Sequence, residues 1–277
     1  MISNVPLPII TLQQVTRRFG GLTAVSEVDV EIAPRTIHGL IGPNGAGKST
    51  TFDMISGLTR VSSGRILMDG NDITASAVEA RVALGVCRTF QTSQLFEEMS
   101  VLETVMTGFH RHASKGARFW RRGAAKSESE VRHAAFKLIS QMGLEADQET
   151  IVSNLSYGRR RLVEIARALA TGPRVLLLDE VASGLNPVET ENIARLIRNL
   201  AASGMTVVVV EHDMPFVMGL CERVTVLNFG CKIADGTPEE IRSNPAVIEA
   251  YLGRPREGAL SRREARRQAM AAKVTKH

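Results

Sequence analysis

The chain has 277 residues, a formal net charge of +5 and a mean hydropathy of −0.01, a composition typical of a globular protein with a sizeable core. The longest apolar runs have the length of strands, so the sequence predicts no membrane span, and no basic leader precedes Pro6 and Pro8. Cys87, Cys221 and Cys231 lack metal-ligand or redox spacing, which favours a reducing compartment.

The positive charge is concentrated in two segments. Residues 111–126 contain six Lys or Arg and no acid, and residues 254–277 contain eight Lys or Arg against two Glu. The rest of the chain is therefore net acidic, so no nucleic-acid partner is expected. Two interpretations of the basic segments stay open. In the first, residues 111–126 form a solvated loop around Trp120 and residues 254–277 form a frayed tail. In the second, both segments are attracted to anionic lipid headgroups.

Residues 9–33 alternate apolar and polar side chains, which predicts antiparallel strands with a turn at residues 17–21. Phe19 lies in that turn, where an aromatic ring either stacks on adenine or covers the edge of a core. Thr36–Ile41 is predicted to be a buried strand, and Lys48–Leu58 is predicted to be a helix.

The segment between this strand and helix matches the phosphate-loop pattern with the residues Gly42, Pro43, Asn44, Gly45, Ala46, Gly47, Lys48, Ser49 and Thr50. Glycines allow the backbone to curl so that its N–H groups point at an anion. Lys48 then reaches the β- and γ-phosphates, and the Ser49 hydroxyl is placed to bind Mg²⁺. A chance glycine-rich turn is the alternative, but the order strand, loop, helix favours phosphate binding at the helix N-terminus.

The middle of the chain is predicted to be largely helical. Residues 86–91 read as a strand passing into a loop that ends at the polar Gln91. Helices are predicted over residues 101–109, 128–142 and 156–170, the last with Ser156 as its N-cap.

Residues 175–178 are four consecutive apolar residues, which indicates a central parallel strand buried on both faces. Asp179 and Glu180 follow at the edge where α/β sheets bind ligands, although a simple strand-end turn would look the same in isolation. Behind a phosphate loop, Asp179 is expected to hold Mg²⁺ and Glu180 to orient or deprotonate water. His212, after the next predicted strand, is placed to donate to the γ-phosphate.

Leu155-Ser156-Tyr157-Gly158 resembles the signature motif of ATP-binding-cassette (ABC) proteins. The order of phosphate loop, Gln91, signature, Asp179–Glu180 and His212 is also the order of that family. The resemblance implies an α/β P-loop NTPase of the ABC ATPase type over residues 1–253. It also implies an N-terminal antiparallel β subdomain and a helical subdomain, about residues 91–170, inserted in the core. Residues 254–277 would form a basic tail.

The resemblance further implies two such subunits facing each other head to tail. ATP would lie between the phosphate loop of one subunit and Ser156 and Gly158 of the other. The implied cofactors are ATP and Mg²⁺. The implied catalytic residues are Glu180, His212 and Gln91, with Gln91 also close to the metal.

A closer resemblance is to the ATPase subunits of branched-chain amino-acid importers, carried by Arg88-Thr89-Phe90-Gln91, Gly184–Pro187, Val226–Gly230 and Asp235–Glu239, among other stretches. It implies ATP-driven uptake of a small polar solute through two separate permease subunits, with a periplasmic or extracellular solute-binding protein acting indirectly. The chain would then dock peripherally at the cytoplasmic face of the membrane, with the loop through Leu95 and Phe96 against a permease.

Three residues depart from the usual family pattern: Arg159 replaces Gln or Glu, Val181 replaces Pro, and Asn186 replaces Asp. Other functions stay open beside amino-acid import. They are import of urea or short amides, lipid extraction or export, and a cassette ATPase without a transport role. The solute, the partner ATPase and the choice between homodimer and heterodimer are not determined by the sequence.

Overall fold

The computed structural model describes residues 7–89, 95–109 and 128–252. Its N-terminal part is a four-stranded antiparallel sheet with the order β2-β1-β4-β5. The strands are β1 (Ile10–Phe19), β2 (Leu22–Ile32), β4 (Ser63–Met68) and β5 (Asn71–Asp72). The predicted hairpin is present, with its turn confined to Gly20 and Gly21 because Phe19 still pairs with Leu22.

A second sheet has the order β10-β9-β3-β8-β7-β6. Its strands are β3 (Ile37–Ile41), β6 (Val86–Arg88), β7 (Val175–Asp179), β8 (Thr206–Val210), β9 (Arg223–Asn228) and β10 (Cys231–Gly236). All pairs are parallel except β9 with β10. Val210 is in register with both Leu40 and Asp179, so the carboxyl ends of three strands meet at one edge.

The helices in the described residues are α1 (Lys48–Ser56), α2 (Val78–Leu84), α3 (Val101–Thr107), α4 (Glu128–Gln141), α5 (Tyr157–Ala170), α6 (Pro187–Ala202), α7 (Met214–Leu220), α8 (Pro238–Ser243) and α9 (Pro245–Leu252). Helices α3, α4 and α5 contact one another and lie in the chain between β6 and β7. Helix α1 stops two residues earlier than predicted because Gly57 adopts φ 87° and caps it.

The central strands separate two apolar cores. Leu176 and Leu178 of β7 pack among the helices, whereas Val175 and Leu177 face the antiparallel sheet and α1. Burying each such side chain contributes roughly 1.5–3 kcal/mol of transfer free energy. The run of apolar residues in β7 therefore anchors Asp179 and Glu180 at the sheet edge from both sides.

Within the described ranges, no helix combines the length and apolar character needed to cross a bilayer.

Candidate functional site

The phosphate loop leaves β3 and enters α1 through glycines with positive φ. Gly42 has φ 153° and Gly47 has φ 98°. A Cβ on Gly42 would lie 2.1 Å from the carbonyl oxygen of Leu227, and one on Gly47 would lie 2.6 Å from that of Ala24. Backbone from β9 and β2 therefore encloses the loop, and both conformation and space require glycine.

The Lys48 side chain folds back onto the backbone of this loop. Its Nζ donates to the carbonyl oxygens of Gly42 at 2.7 Å and Pro43 at 3.1 Å. Burial lowers the pKa of Lys48, and the nearby charges of Glu180 and Asp179 oppose that shift. Ser49, the next residue, is exposed at the start of α1, where the free N–H groups of the first helical turn attract anions.

Asp179 lies at the end of β7 with its carboxylate buried. Arg88 donates from Nη2 to Asp179 Oδ2 at 2.7 Å and from Nη1 to Asp53 of α1. Burial raises the pKa of the Asp179 carboxyl, whereas the hydrogen bond and charge of Arg88 lower it. Arg88 is therefore the counter-ion of this buried acid.

Glu180 follows in a left-handed conformation, with φ 47°. A residue other than glycine seldom adopts this region, and such outliers concentrate at functional sites. His212 Nδ1 lies 3.9 Å from both Glu180 Oε1 and Glu211 Oε2. Glu211 is buried and accepts from the Ala182 amide at 2.8 Å, which fixes the chain just after Glu180. Burial raises the pKa of Glu211, and the Ala182 hydrogen bond opposes the rise.

The signature segment starts helix α5. Ser156 caps it by accepting from the Arg159 amide at 3.4 Å, as predicted. Gly158 is buried against Glu189 of α6. Arg161 of the same helix donates to Glu164 at 2.8 Å and to the Glu180 carbonyl at 3.3 Å. The signature helix is thus tied to the strand end that carries Glu180.

The three departures from the family pattern are accommodated locally. Arg159 forms an ion pair with Asp147. Val181 is buried. Asn186 caps α6 by accepting from the Val188 and Glu189 amides, each at 3.0 Å.

Several predicted residues lie outside the described ranges: Gln91, Trp120 and both basic segments. Phe19 is described. It is 45% exposed, and the Arg17 guanidinium lies 4.2 Å from its ring centroid.

Sequence reasoning missed the roles of three buried arginines. Arg88 stands in a stretch that resembles the importer ATPases, and Arg161 lies on the apolar face of α5. Arg81 is fully buried and donates to carbonyls that include Ile55 at 2.9 Å and Thr74 at 3.0 Å, which fixes the end of α1. A charged residue inside an apolar pattern was the available signal in each case.

The comparisons with known proteins agree with this geometry. The model of the ABC transporter family matches residues 25–183, more than half of the chain. A model described as the branched-chain amino acid ATP-binding cassette transporter matches residues 231–257.

Similar curated proteins cover nearly the whole cassette. BraF of Pseudomonas aeruginosa and LivG of Escherichia coli, both high-affinity branched-chain amino acid transport ATP-binding proteins, are each 40% identical over 250 residues. These alignments cover 89% of this chain and 98% of each relative. LptB of Acidithiobacillus ferridurans, a lipopolysaccharide export system ATP-binding protein, is 36% identical over 88% of this chain and 97% of its own.

Solved structures show the same fold. A nucleotide-free ATP-binding cassette from an ABC transporter matches with a TM-score of 0.79 and 31% identity, over 88% of this chain and 99% of that one. A dimeric cassette in a post-hydrolysis state, bound to ADP and Pi, matches with a TM-score of 0.71 and 26% identity, over 83% and 98%. The predicted fold class and family are thereby confirmed, and the chain belongs to the ABC transporter family as one of its ATP-binding, ATP-hydrolysing cassettes.

Proposed function

We propose that the chain hydrolyses ATP to drive uptake of branched-chain amino acids or a related small polar solute. The solute class is supported by the likeness to BraF and LivG and by the match over residues 231–257. The observation that carries the chemistry is that the phosphate loop and the Asp179–Glu180 pair lie at the same sheet edge, because Leu40 of β3 and Asp179 of β7 are both in register with Val210 of β8.

The phosphate loop is assigned to ATP, with contacts from Gly42 through Thr50. Lys48 reaches the phosphates by exchanging the Gly42 and Pro43 carbonyls for phosphate oxygens, which are stronger acceptors because they are charged. Phe19 is assigned to adenine. Since Arg17 lies over one face of the ring, we assign the base to the other face.

The metal assignment is Mg²⁺, held by Ser49, Asp179 and Gln91. Hydroxyl, carboxylate and amide oxygens are the hard donors that Mg²⁺ prefers. In the ranges that the structure describes, no cluster of three or more His, Cys, Asp or Glu side chains forms a metal cage. This fits an ion that is bound mainly through nucleotide phosphates. When bound, Mg²⁺ would neutralise charge that develops on the phosphates.

Glu180 is assigned as the general base and His212 as its neighbour that donates to the γ-phosphate. The left-handed backbone at Glu180 and the Arg161 hydrogen bond to its carbonyl hold this side chain at the end of β7. Glu180 orients the attacking water and accepts its proton. Gln91 is assigned to sense the water or the metal.

Ser156 and Gly158 are assigned to nucleotide on a second cassette, identical or homologous, in a head-to-tail dimer. The start of α5 offers free N–H groups to a phosphate, and the dimeric solved cassette supports pairing. Within the chain we propose an ATPase domain over residues 1–253, a helical insertion over about residues 91–170, and a basic tail over residues 254–277.

The remaining partners are two transmembrane permease subunits and, indirectly, a solute-binding protein outside the membrane. We place the chain peripherally on the cytoplasmic face. The test is to isolate the chain with its co-purifying permeases and measure ATP-dependent uptake of labelled leucine by proteoliposomes, with Glu180→Gln as the matched inactive control. Robust ATP hydrolysis without co-purifying permeases, or without uptake of leucine or of any small solute supplied, would contradict the import assignment.

A second candidate is export, favoured by the similarity to LptB. The same proteoliposomes distinguish it. Release of lipopolysaccharide or another lipid, with no uptake of amino acids, urea or short amides, would establish export instead.

A further inference from the structure

Arg88 connects three parts of the nucleotide-binding edge. It is the last residue of β6, and its guanidinium bridges Asp179 of β7 and Asp53 of α1. The side chains of Arg88 and Asp179 are only 8% and 4% exposed, whereas that of Asp53 is 33% exposed. One guanidinium therefore joins the helix that begins at Lys48 to the strand that leads into Glu180.

Packing fixes Arg88 in this place. Its Cζ lies 5.7 Å from the ring centroid of Phe52, which is fully buried in α1. The next residue, Thr89, donates its amide to the Leu177 carbonyl of β7 at 2.9 Å. Arginine suits the position because its planar group donates to two carboxylates at once, which the single ammonium of lysine does less well.

The charges explain why a cation is needed there. Asp179, Glu180 and Asp53 bring three carboxylates to one edge, and an unpaired buried carboxylate is strongly destabilising. Arg88 neutralises Asp179 through the 2.7 Å ion pair. The same carboxylate is the one assigned above to Mg²⁺, so the two cations have a common acceptor.

We propose that Arg88 is a positioning residue that holds the Asp179 carboxylate in the nucleotide-free chain and competes with Mg²⁺ for it. The proposal rests on the Mg²⁺ assignment of Asp179. Replacement of Arg88 by Mg²⁺ on the Asp179 carboxylate is feasible because Arg88 then still has the Asp53 carboxylate as a partner.

The test is isothermal titration calorimetry of AMP-PNP, a non-hydrolysable ATP analogue, into the purified full chain at a series of free Mg²⁺ concentrations. For Arg88→Gln we expect the Mg²⁺ concentration that gives half of the affinity gain to fall by about threefold to tenfold, which corresponds to the net contribution of a typical hydrogen bond. AMP-PNP affinity in EDTA should change by less than about twofold, because Arg88 is assigned no phosphate contact.

Arg174→Gln is the matched control. Arg174 also pairs with a carboxylate, donating to Asp69 at 2.6 and 3.0 Å, but on the exposed surface. The Mg²⁺ dependence of AMP-PNP binding by Arg174→Gln should equal that of the wild type. In an Asp179→Asn background, Arg88→Gln should no longer shift the Mg²⁺ dependence.

An unchanged or higher Mg²⁺ requirement in Arg88→Gln overturns the competition. If that variant does not fold, Arg88→Lys decides: it retains the charge, and a fall in the Mg²⁺ requirement, smaller than that expected for glutamine, supports the proposal. No fall overturns it. If the AMP-PNP affinity of the wild-type chain does not depend on the Mg²⁺ concentration, the metal assignment itself is wrong. Failure of the proposed function is thereby distinguished from failure of this inference.

Discussion

Gly158 and Glu189 are packed so closely that a Cβ on the glycine would lie 2.5 Å from Glu189 Oε1. Glu189 also accepts from the Asn186 amide at 3.0 Å, completing the cap of α6. The first turn of the signature helix and the first turn of α6 therefore lock together within one subunit. A substitution at Gly158 acts on this contact as well as on any nucleotide that a partner subunit presents.

Gly158→Ala should lower the free energy of unfolding by at most about 1 kcal/mol, because the Glu189 carboxylate can turn away from the new Cβ and then gives up its hydrogen bond to the Asn186 amide. Glu189→Ala should lower it by about 1 kcal/mol, because the Asn186 amide loses its acceptor while the side-chain cap by Asn186 remains. In the double variant the loss should be smaller than the sum, because the alanine at 158 no longer meets the glutamate. Urea unfolding measures all three, and strict additivity would show that the two residues do not contact each other.

Gly158→Asp tests the composite site. It adds volume and negative charge beside the expected phosphate, so ATP should still bind to the monomer while nucleotide-dependent dimers fail to form. Size-exclusion chromatography with ATP, in a Glu180→Gln background that prevents turnover, reads out the dimer. Glu189→Ala in the same background is the control for damage to the helix contact. Loss of ATP binding by the Gly158→Asp monomer would argue against a role on the partner's nucleotide.

Glu180→Gln should retain ATP binding and lose most turnover. An amide cannot accept the proton from water, and general-base effects amount to about 10²–10⁴-fold. Steady-state phosphate release from the assembled transporter measures the loss. Glu191→Gln, an exposed charge change on α6, is the matched control and should leave the rate unchanged. Near-normal hydrolysis by Glu180→Gln would remove its catalytic assignment.

Gly42→Ala should abolish nucleotide binding, because its Cβ would overlap the Leu227 carbonyl and displace the loop. Gly20→Ala provides a control that also has a positive φ, 55°, but has open space around the new Cβ. We expect the control to lose about 1–2 kcal/mol of stability and still bind ATP. Fluorescent nucleotide binding and thermal unfolding separate the two effects. Equal affinities would show that the loop adapts to a side chain at residue 42.

Leu95 and Phe96 are adjacent in the chain but have different surroundings. Leu95 packs against the helical core, whereas Phe96 is 51% exposed. Phe96→Ala should therefore reduce solute uptake more than ATP hydrolysis, and Leu95→Ala should mainly reduce stability. Transport and hydrolysis assays on the same proteoliposomes test this. Equal loss of both activities in Phe96→Ala would assign Phe96 a structural role.

His38 should make stability depend on pH. Burial lowers the pKa of His38 to about 4 from 6.5, and its Nε2 lies 2.9 Å from Thr225 Oγ1. The unfolded chain therefore binds the proton more readily. The contribution of His38 is fully present above pH 6.5 and is lost as the pH falls towards 4.

His38→Gln should flatten this dependence by up to about 1.4 kcal/mol per pH unit, because the amide does not titrate. The side-chain amide nitrogen of the glutamine takes the place of the imidazole Nε2 beside Thr225. Chemical unfolding at pH 7, 6 and 5 measures the slope. His133→Gln on the exposed side of α4 is the control and should keep the wild-type slope. A slope unchanged in His38→Gln would show that other groups cause the loss.

Much of the framework was predictable from local patterns. The phosphate loop has fixed spacing between its glycines and Lys48, and the apolar run of β7 fits only a strand buried on both faces. Helices α2 and α7 are absent from the predicted elements. Helix α2 has no side-chain cap because Ala77 precedes it, whereas α3, of the same length, begins with a capping box at Ser100. The partners of Arg88 and the backbone of Glu180 depend on contacts between distant segments, which no local pattern records.

The enclosure of the phosphate loop has a consequence for biosynthesis. Strand β3 pairs with β8 and β9, and the loop after it is walled by the Leu227 carbonyl and held by the Gly230 amide on the Ala46 carbonyl. The ribosome makes all of these partners long after Gly42–Thr50 has emerged. A nascent or truncated chain that ends before β9 contains the complete phosphate-binding motif without the walls that shape it. We therefore expect nucleotide binding to require a chain that extends at least through Gly230.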